Sequence, residues 1–171
     1  MQRRRFMQTA LGAAAVAALP GSAALAQAVQ TLAKVDGPVD ALSSGGRQLT
    51  LDKAALEELR DSLQGRLLLP GHEGYETARR VLNPSIDKHP ALVVQPTGAS
   101  DVMRAVDFAR ERDLLVAVKC GGHSYGGKST CDGGLQIDLS TLRGTHVDAL
   151  ARRAHVAGDS LLASLDHEAM A

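Results

Sequence analysis

Cys120, His123, Tyr125, Lys128, Cys131 and Asp138 lie within one glycine-rich stretch, Leu114 to Ser140, LLVAVKCGGHSYGGKSTCDGGLQIDLS. Three chemistries compete for these residues. The first is phosphate binding of the P-loop kind. Gly122 to Ser129, GHSYGGKS, fits G-x-x-x-x-G-K-[ST] behind an apolar strand, and Asp138 in LQIDL stands like a magnesium-holding aspartate. That chemistry needs the Lys-Ser pair to open a helix, because the free N–H groups of a helix N-terminus hold the phosphates. Thr130-Cys131-Asp132-Gly133-Gly134 follows instead, and two adjacent glycines in a helix interior cost roughly 2 kcal/mol relative to alanine. A new strand starts at once, so a P-loop nucleotide phosphohydrolase is the weaker reading. The second chemistry is zinc ligation by Cys120, His123 and Cys131. A structural zinc site takes four ligands, usually as paired knuckles, and His146 and His155 do not stand at ligand-pair spacing. The third uses the backbone. Gly121 and Gly122 allow positive φ and close approach. Successive N–H groups of such a turn form an anion-binding nest that suits a pyrophosphate. His123, in the middle of the nest, lies beside whatever the phosphates anchor.

A β-α-β unit positions this loop. Ala91 to Gln95 reads as a strand. Ser100 is a good N-cap, and Asp101 suits the positive end of the helix that follows. Val102, Ala105, Val106 and Ala109 make one apolar face of that helix, with Phe108 beside it. Leu114 to Val118 is the second strand, and strands joined through a helix run parallel with a right-handed crossover. Leu135 to Leu139 forms a strand after the loop, and Arg152 to Ala157 is read as another. Ser160 then caps a final helix with Leu161, Leu162 and Leu165 on one side. Upstream, Leu51, Ala55, Leu56, Leu59 and Leu63 recur at helical spacing before Gly65, which predicts a helix over 51–64. Leu67 to Leu69 is a short buried strand closed by Pro70-Gly71. Glu73 to Leu82 reads as a helix ended by Asn83-Pro84. Residues 27–50 carry Gly37-Pro38 and Ser43-Ser44-Gly45-Gly46 and read as a mobile linker.

The chain has 171 residues, with Lys+Arg and Asp+Glu both 19. It therefore has no overall basic field to attract nucleic acid. Phe6, Tyr75, Phe108 and Tyr125 are its only aromatics, too few for the stacking platforms of single-strand binding. Residues 1–26 have the layout of an export signal: Arg3, Arg4, Arg5 and Phe6, an apolar run from Leu11 to Leu19, and Ala24-Leu25-Ala26 as a cleavage site. The run is too short to serve as a stable membrane anchor. Arg-Arg-x-Phe resembles the bacterial twin-arginine signal, which implies a periplasmic or secreted protein exported already folded. Three of the basic residues and none of the acidic ones fall in this segment, so the remainder is mildly acidic.

Lys119-Cys120-Gly121-Gly122-His123-Ser124-Tyr125, followed by Asp132-Gly133-Gly134-Leu135-Gln136-Ile137-Asp138-Leu139-Ser140, resembles the flavin-binding domain of the FAD-linked oxidases. More narrowly, it resembles the berberine-bridge-enzyme-like group of the vanillyl-alcohol oxidase and p-cresol methylhydroxylase (PCMH) superfamily. The resemblance begins at Leu69-Pro70-Gly71 and continues through Tyr75, Ala78-Arg79-Arg80-Val81, Asn83, Pro90-Ala91, Gln95-Pro96 and the 100–112 helix. It covers about residues 67 to 171.

The resemblance implies an α+β fold of the PCMH type: a small parallel β-α-β subdomain followed by the start of a second β subdomain, within residues 51–171. It implies FAD as cofactor, with the pyrophosphate on the backbone of Cys120 to Tyr125 and with Lys119 and Ser140 among the cofactor-binding residues. It further implies a bond from a His123 ring nitrogen to the methyl group of the flavin's benzenoid ring. Such a link makes the flavin a stronger oxidant. The family usually carries arginine at the position of Lys119, which keeps the charge but lacks the planar fork. A second covalent anchor found in some members lies further along the chain and is not transferred to Cys120 or Cys131. Those two are either a disulfide or free thiols, which spacing does not decide. Members take a hydride from an alcohol, amine or sugar carbon of a small-molecule substrate and pass the electrons to molecular oxygen. The family's substrate domain and catalytic base fall beyond Ala171, so the expectation is the N-terminal portion of such an oxidoreductase, the alternative a non-catalytic remnant.

Overall fold

A computed structural model of the protein describes residues 34–170. The expected signal segment, residues 1–26, lies outside the described residues. The chain then opens with a hairpin. Strand β1 (Val39–Leu42) pairs antiparallel with β2 (Gln48–Leu51), placing Val39 opposite Leu51 and Leu42 opposite Gln48. This corrects the linker expected over 27–50, at least from Val39 onward. The Ser/Gly cluster is the hairpin turn, with Gly46 at φ 79°. Ala41 and Leu51 are buried in the main core. Helix α1 (Lys53–Ser62) follows, capped by the Asp52 carboxylate, which accepts from the Ala55 N–H at 2.8 Å. Its Leu56 and Leu59 point into the core, as their spacing predicts. The helix ends before Gly65, which is not its cap. Gly65 is there because a Cβ would stand 2.1 Å from the Gln95 carbonyl oxygen.

The central sheet has strand order β3-β4-β6-β5, from β3 (Arg66–Leu68), β4 (Leu92–Gln95), β5 (Val116–Lys119) and β6 (Leu135–Asp138). β3 is antiparallel to β4, and β4 and β5 are both parallel to β6. The β-α-β unit is therefore present, but β6 inserts between its two strands. The short helix α2 (Tyr75–Arg79) lies on one face of the sheet, where Leu68, Tyr75, Ala78 and Val93 form a small cluster. The other face carries the main core with α1 and α3 (Ala99–Glu111), where Leu92, Val94, Leu135 and Ile137 pack with Leu56, Ala105 and Phe108. Burying these apolar side chains supplies most of the folding drive, at about 1.5–3 kcal/mol each.

α3 starts one residue before Ser100, at the backbone of Gly98, without a side-chain cap. Asp101 does the polar work instead. Its carboxylate, fully buried, accepts from the N–H groups of Gln64, Gly65 and Thr97 and from the Thr97 hydroxyl, at 2.9–3.0 Å. Burial opposes this charge, yet the donors together hold the carboxyl below its usual range. The buried face of α3 is Ala105, Phe108 and Ala109, and Val106 is exposed. The expected apolar face is rotated toward Phe108, over which the Arg112 guanidinium stacks at 4.0 Å.

After β6 a 3-10 turn (Leu139–Thr141) leads to the antiparallel pair β7 (Thr145–Asp148) and β8 (Arg153–Val156), then to α4 (Leu162–Met170). Ser160 does not cap α4. Its hydroxyl joins the N–H and the carbonyl of Gly144, at 2.9 and 2.8 Å.

Candidate functional site

Parallel neighbours require a long crossover between them, usually a helix. Between β5 and β6 that crossover is the glycine-rich segment 120–134 itself. No helix follows Lys128, and the chain turns directly into β6. The helix N-terminus that a P-loop needs is therefore not formed there. Asp138 is fully buried and bonded to Lys119 and Gln95, so it does not face a magnesium site.

One flank of the loop is gripped by residues 81–91. The Leu82 N–H donates to the Gly122 carbonyl at 3.0 Å, and the Asn83 Nδ2 group donates to the Tyr125 carbonyl at 3.1 Å. Lys88 Nζ reaches the Gly127 carbonyl at 3.2 Å. Further along, the His89 N–H donates to Asp132 and the Gly133 N–H returns to the His89 carbonyl. Two glycines make this contact possible. At Gly122, φ is 69° and Val81 Cα stands 3.3 Å from where a Cβ would be. At Gly127 a Cβ would meet the Ile86 side chain at 2.7 Å. Arg79 ties the flank to α2: buried, it bonds Glu76, Asp87 and the Lys88 carbonyl. These bonds from Arg79 hold both carboxyls below their usual values. The Tyr75 hydroxyl donates to the Pro90 carbonyl at 2.6 Å, and burial pushes its pKa up to about 12.

The other side of the loop is donor-rich. The N–H groups of His123, Ser124, Tyr125 and Gly126 have no acceptor among the described residues. The Gly127 and Lys128 N–H groups are used internally, on the Ser124 carbonyl and hydroxyl. His123 is exposed, and its ring lies against Gly121, where a Cβ would stand 2.7 Å from its Cδ2 and 2.9 Å from its Nε2. Asp159, buried and paired with Arg143 at 3.0 Å, approaches Gly121 from the segment before α4. Tyr125 is 88% exposed. A run of unpaired N–H groups at a positive-φ glycine can neutralise phosphate oxygens, and an exposed imidazole beside it can form a bond or accept one. These residues fit the pyrophosphate and ring of a flavin dinucleotide.

The expected site residues do not all lie together. Gly121 to Tyr125 are contiguous in the loop, and the N–H groups without an acceptor among the described residues run from His123 to Gly126. Ser140 sits on the 3-10 turn with its N–H on Asp138. It lies at the same C-terminal edge of the parallel strands as Cys120, since Lys119 pairs with Asp138, and such edges are where open α/β sheets bind ligands. Lys119 is placed differently from the expectation. Its ammonium is buried beneath the sheet, 2.7 Å from the Ala78 carbonyl and 3.2 Å from Asp138. Its side chain holds β5 to α2 and β6, and Gln136 joins the same Ala78 carbonyl at 2.8 Å. Both cysteines are free thiols. Burial pushes Cys131 up to about 11, and burial with the Asp159 and Asp138 carboxylates raises Cys120. Asn83, Lys88 and Asp159 were not legible as site residues. Asn83 carried a helix-stop signal and a place in the resemblance, but no sign of its loop contact, because its partner is 42 positions away.

A family described as an FAD binding domain matches residues 90–170. The chain is 30% identical over 108 residues to (R)-6-hydroxynicotine oxidase of Paenarthrobacter nicotinovorans, covering 63% of this chain and 24% of that protein. The solved structure of 6-hydroxy-D-nicotine oxidase from Arthrobacter nicotinovorans superposes with a TM-score of 0.59 at 29% identity, over 64% of this chain and 24% of that one. The BBE-like 1 protein of Physcomitrella patens superposes with a TM-score of 0.52 at 28% identity, over 58% and 22%. The chain thus spans about a quarter of the length of these relatives. Among the described residues no helix is long and apolar enough to cross a membrane.

Proposed function

We propose that this chain, which carries the FAD-binding domain of the FAD-linked oxidoreductases, holds the FAD pyrophosphate on the backbone of Cys120 to Tyr125 and offers His123 to the flavin for covalent attachment. The observation that carries this reading is the run of N–H groups from His123 to Gly126 that have no acceptor among the described residues, beside an exposed imidazole. In this role the N–H groups neutralise the pyrophosphate oxygens, and Gly121 gives the His123 ring room against the backbone. The buried Lys119–Asp138 pair fixes the strand ends from which the loop departs. When bound, the flavin supplies two-electron oxidation of a substrate C–H bond and return of the electrons to molecular oxygen. The substrate class is a small molecule oxidised at an alcohol, amine or sugar carbon, and the relatives named above include hydroxynicotine oxidases. Arg3-Arg4-Arg5-Phe6 and Ala24-Leu25-Ala26 support export by the twin-arginine route to the periplasm or beyond.

Expression in a flavin-replete host tests the reading. The expected protein is yellow, keeps its flavin fluorescence through denaturing electrophoresis, and yields a His123 peptide carrying the mass of FAD. His123→Ala loses the covalent flavin and keeps the dissociable one. A colourless parent protein would overturn the FAD reading. A yellow protein that releases all of its flavin on denaturation would overturn the covalent part alone.

A further inference from the structure

We propose that Asn83 is a positioning residue for the pyrophosphate nest, a role that rests on the FAD reading above. Asn83 stands outside the glycine loop, yet its Nδ2 group donates to the Tyr125 carbonyl at 3.1 Å. Its amide is oriented by a second bond, because its Oδ1 accepts from the Ser85 N–H at 3.1 Å. The NH2 side is therefore the one that faces the loop. One residue earlier, the Leu82 N–H holds the Gly122 carbonyl at 3.0 Å.

These two contacts set the direction of two peptide groups. No peptide bond among the described residues is cis. In a planar trans peptide the carbonyl and the N–H of the next residue point in opposite directions. With the Gly122 and Tyr125 carbonyls turned onto residues 82 and 83, the His123 and Gly126 N–H groups are turned to the opposite side of the loop. Those are two of the N–H groups without an acceptor among the described residues.

The Gly127 peptide makes a control within the same loop. Its carbonyl is also gripped, by Lys88, but the Lys128 N–H that follows is already donated to the Ser124 hydroxyl at 3.0 Å. The flank therefore leaves some peptides aimed outward and locks another. Leu82 acts through its backbone, so Asn83 is the side chain whose removal frees an outward-aimed peptide without disturbing its neighbour.

The test uses all 171 residues, produced ligand-free under riboflavin starvation and titrated with FAD and with ADP, which carries the pyrophosphate without the flavin. Asn83→Ser is neutral and keeps an oxygen that can accept from the Ser85 N–H, but it has no donor that reaches Tyr125. The expected result is weaker binding of FAD and ADP alike, by about fivefold, the equivalent of one neutral hydrogen bond of about 1 kcal/mol. The ligand-free thermal midpoint stays unchanged, and Asn83→Gln recovers part of the affinity. Amide hydrogen exchange of the ligand-free chain gives a second readout. Exchange speeds up in the 122–128 peptide of Asn83→Ser and stays constant in β6. Equal affinities in parent and Asn83→Ser, or unchanged exchange in 122–128, would overturn the positioning role while the FAD reading stands. A parent chain that binds neither ligand overturns the FAD reading and this role with it.

Discussion

Leu92, Val93, Val94 and Leu135 of the central sheet are 0% exposed, while every residue of β8 is exposed and α4 contains no buried residue. Both regions are made of short strands and an adjoining helix with recognisable patterns. In the first, two helices cover one face and α2 the other, so apolar and polar side chains alike acquire partners. In the second, Leu150, Val156, Leu161, Leu162 and Met170 face solvent. The contrast teaches that local pattern suffices to draw a strand or a helix, while stability comes from the layer packed against it. A nine-residue helix is marginal in water without such a layer. The candidate site lies at the junction. Its nest is gripped from the packed side by residues 81–91, and Gly158 and Asp159 approach Cys120 and Gly121 from the segment before α4.

The largest effect that would sharpen this comparison concerns the buried ion pair. Asp138→Ala leaves the Lys119 ammonium buried with a carbonyl as its remaining partner, and it should lower the unfolding free energy by about 3–5 kcal/mol in urea denaturation. The double variant Lys119→Met/Asp138→Leu should recover most of that loss, because no unpaired charge is left. Asp148→Ala, opposite Arg153 on the exposed hairpin, should change stability by no more than about 0.5 kcal/mol. Equal losses at Asp138 and Asp148 would break the comparison.

A smaller effect is expected for apolar truncation. Leu135→Ala should cost about 3 kcal/mol through lost burial and a residual cavity, whereas Leu162→Ala should stay within about 0.5 kcal/mol. A Leu162→Ala loss as large as that of Leu135→Ala would show that α4 is packed in solution.

The smallest is a pH effect confined to the packed region. The Asp101 carboxyl is held below its ordinary value of 3.8. Its unfolded form therefore takes up a proton first as pH falls. The stability it contributes is complete above about pH 4 and is lost as the pH drops through the lowered value. Asp101→Asn should cost about 1–2 kcal/mol at pH 7 and flatten the acid limb of the stability profile, read from urea midpoints at stepped pH. The Glu76 and Asp87 carboxyls, also held low by Arg79, should keep a residual slope. An unchanged acid limb in Asp101→Asn would refute the role given to its four donors.

Much of the fold was legible because it is written in local signals. Periodic leucines marked α1, the run Leu135 to Leu139 marked β6, and Gly133-Gly134 excluded a helix after Lys128. The hairpin β1-β2 was missed because Ser43 to Gly46 has the composition of a flexible linker. Local bonds close the turn, Ser43 N–H to the Arg47 carbonyl and Gly46 N–H to the Ser43 carbonyl, and bonds of Leu42 to Gly133 and Leu115, from far along the chain, tie the hairpin to the domain. The cap of α3 was misread for a similar reason. Ser100 is a good cap by type, but the N–H groups of Gln64 and Gly65 drew Asp101 into the interior.

By itself the sequence determined that a glycine-rich backbone, and not a helix N-terminus, would present donors beside His123. It could do so because glycine conformation and helix exclusion are decided within a few residues. The tertiary structure alone decided that β6 separates β4 from β5, that Lys119 and Asp138 face each other across that junction, and that Asn83 holds Tyr125. Each of these depends on which distant segments become neighbours, and burial and hydrogen-bond pairing settle that over the whole domain at once.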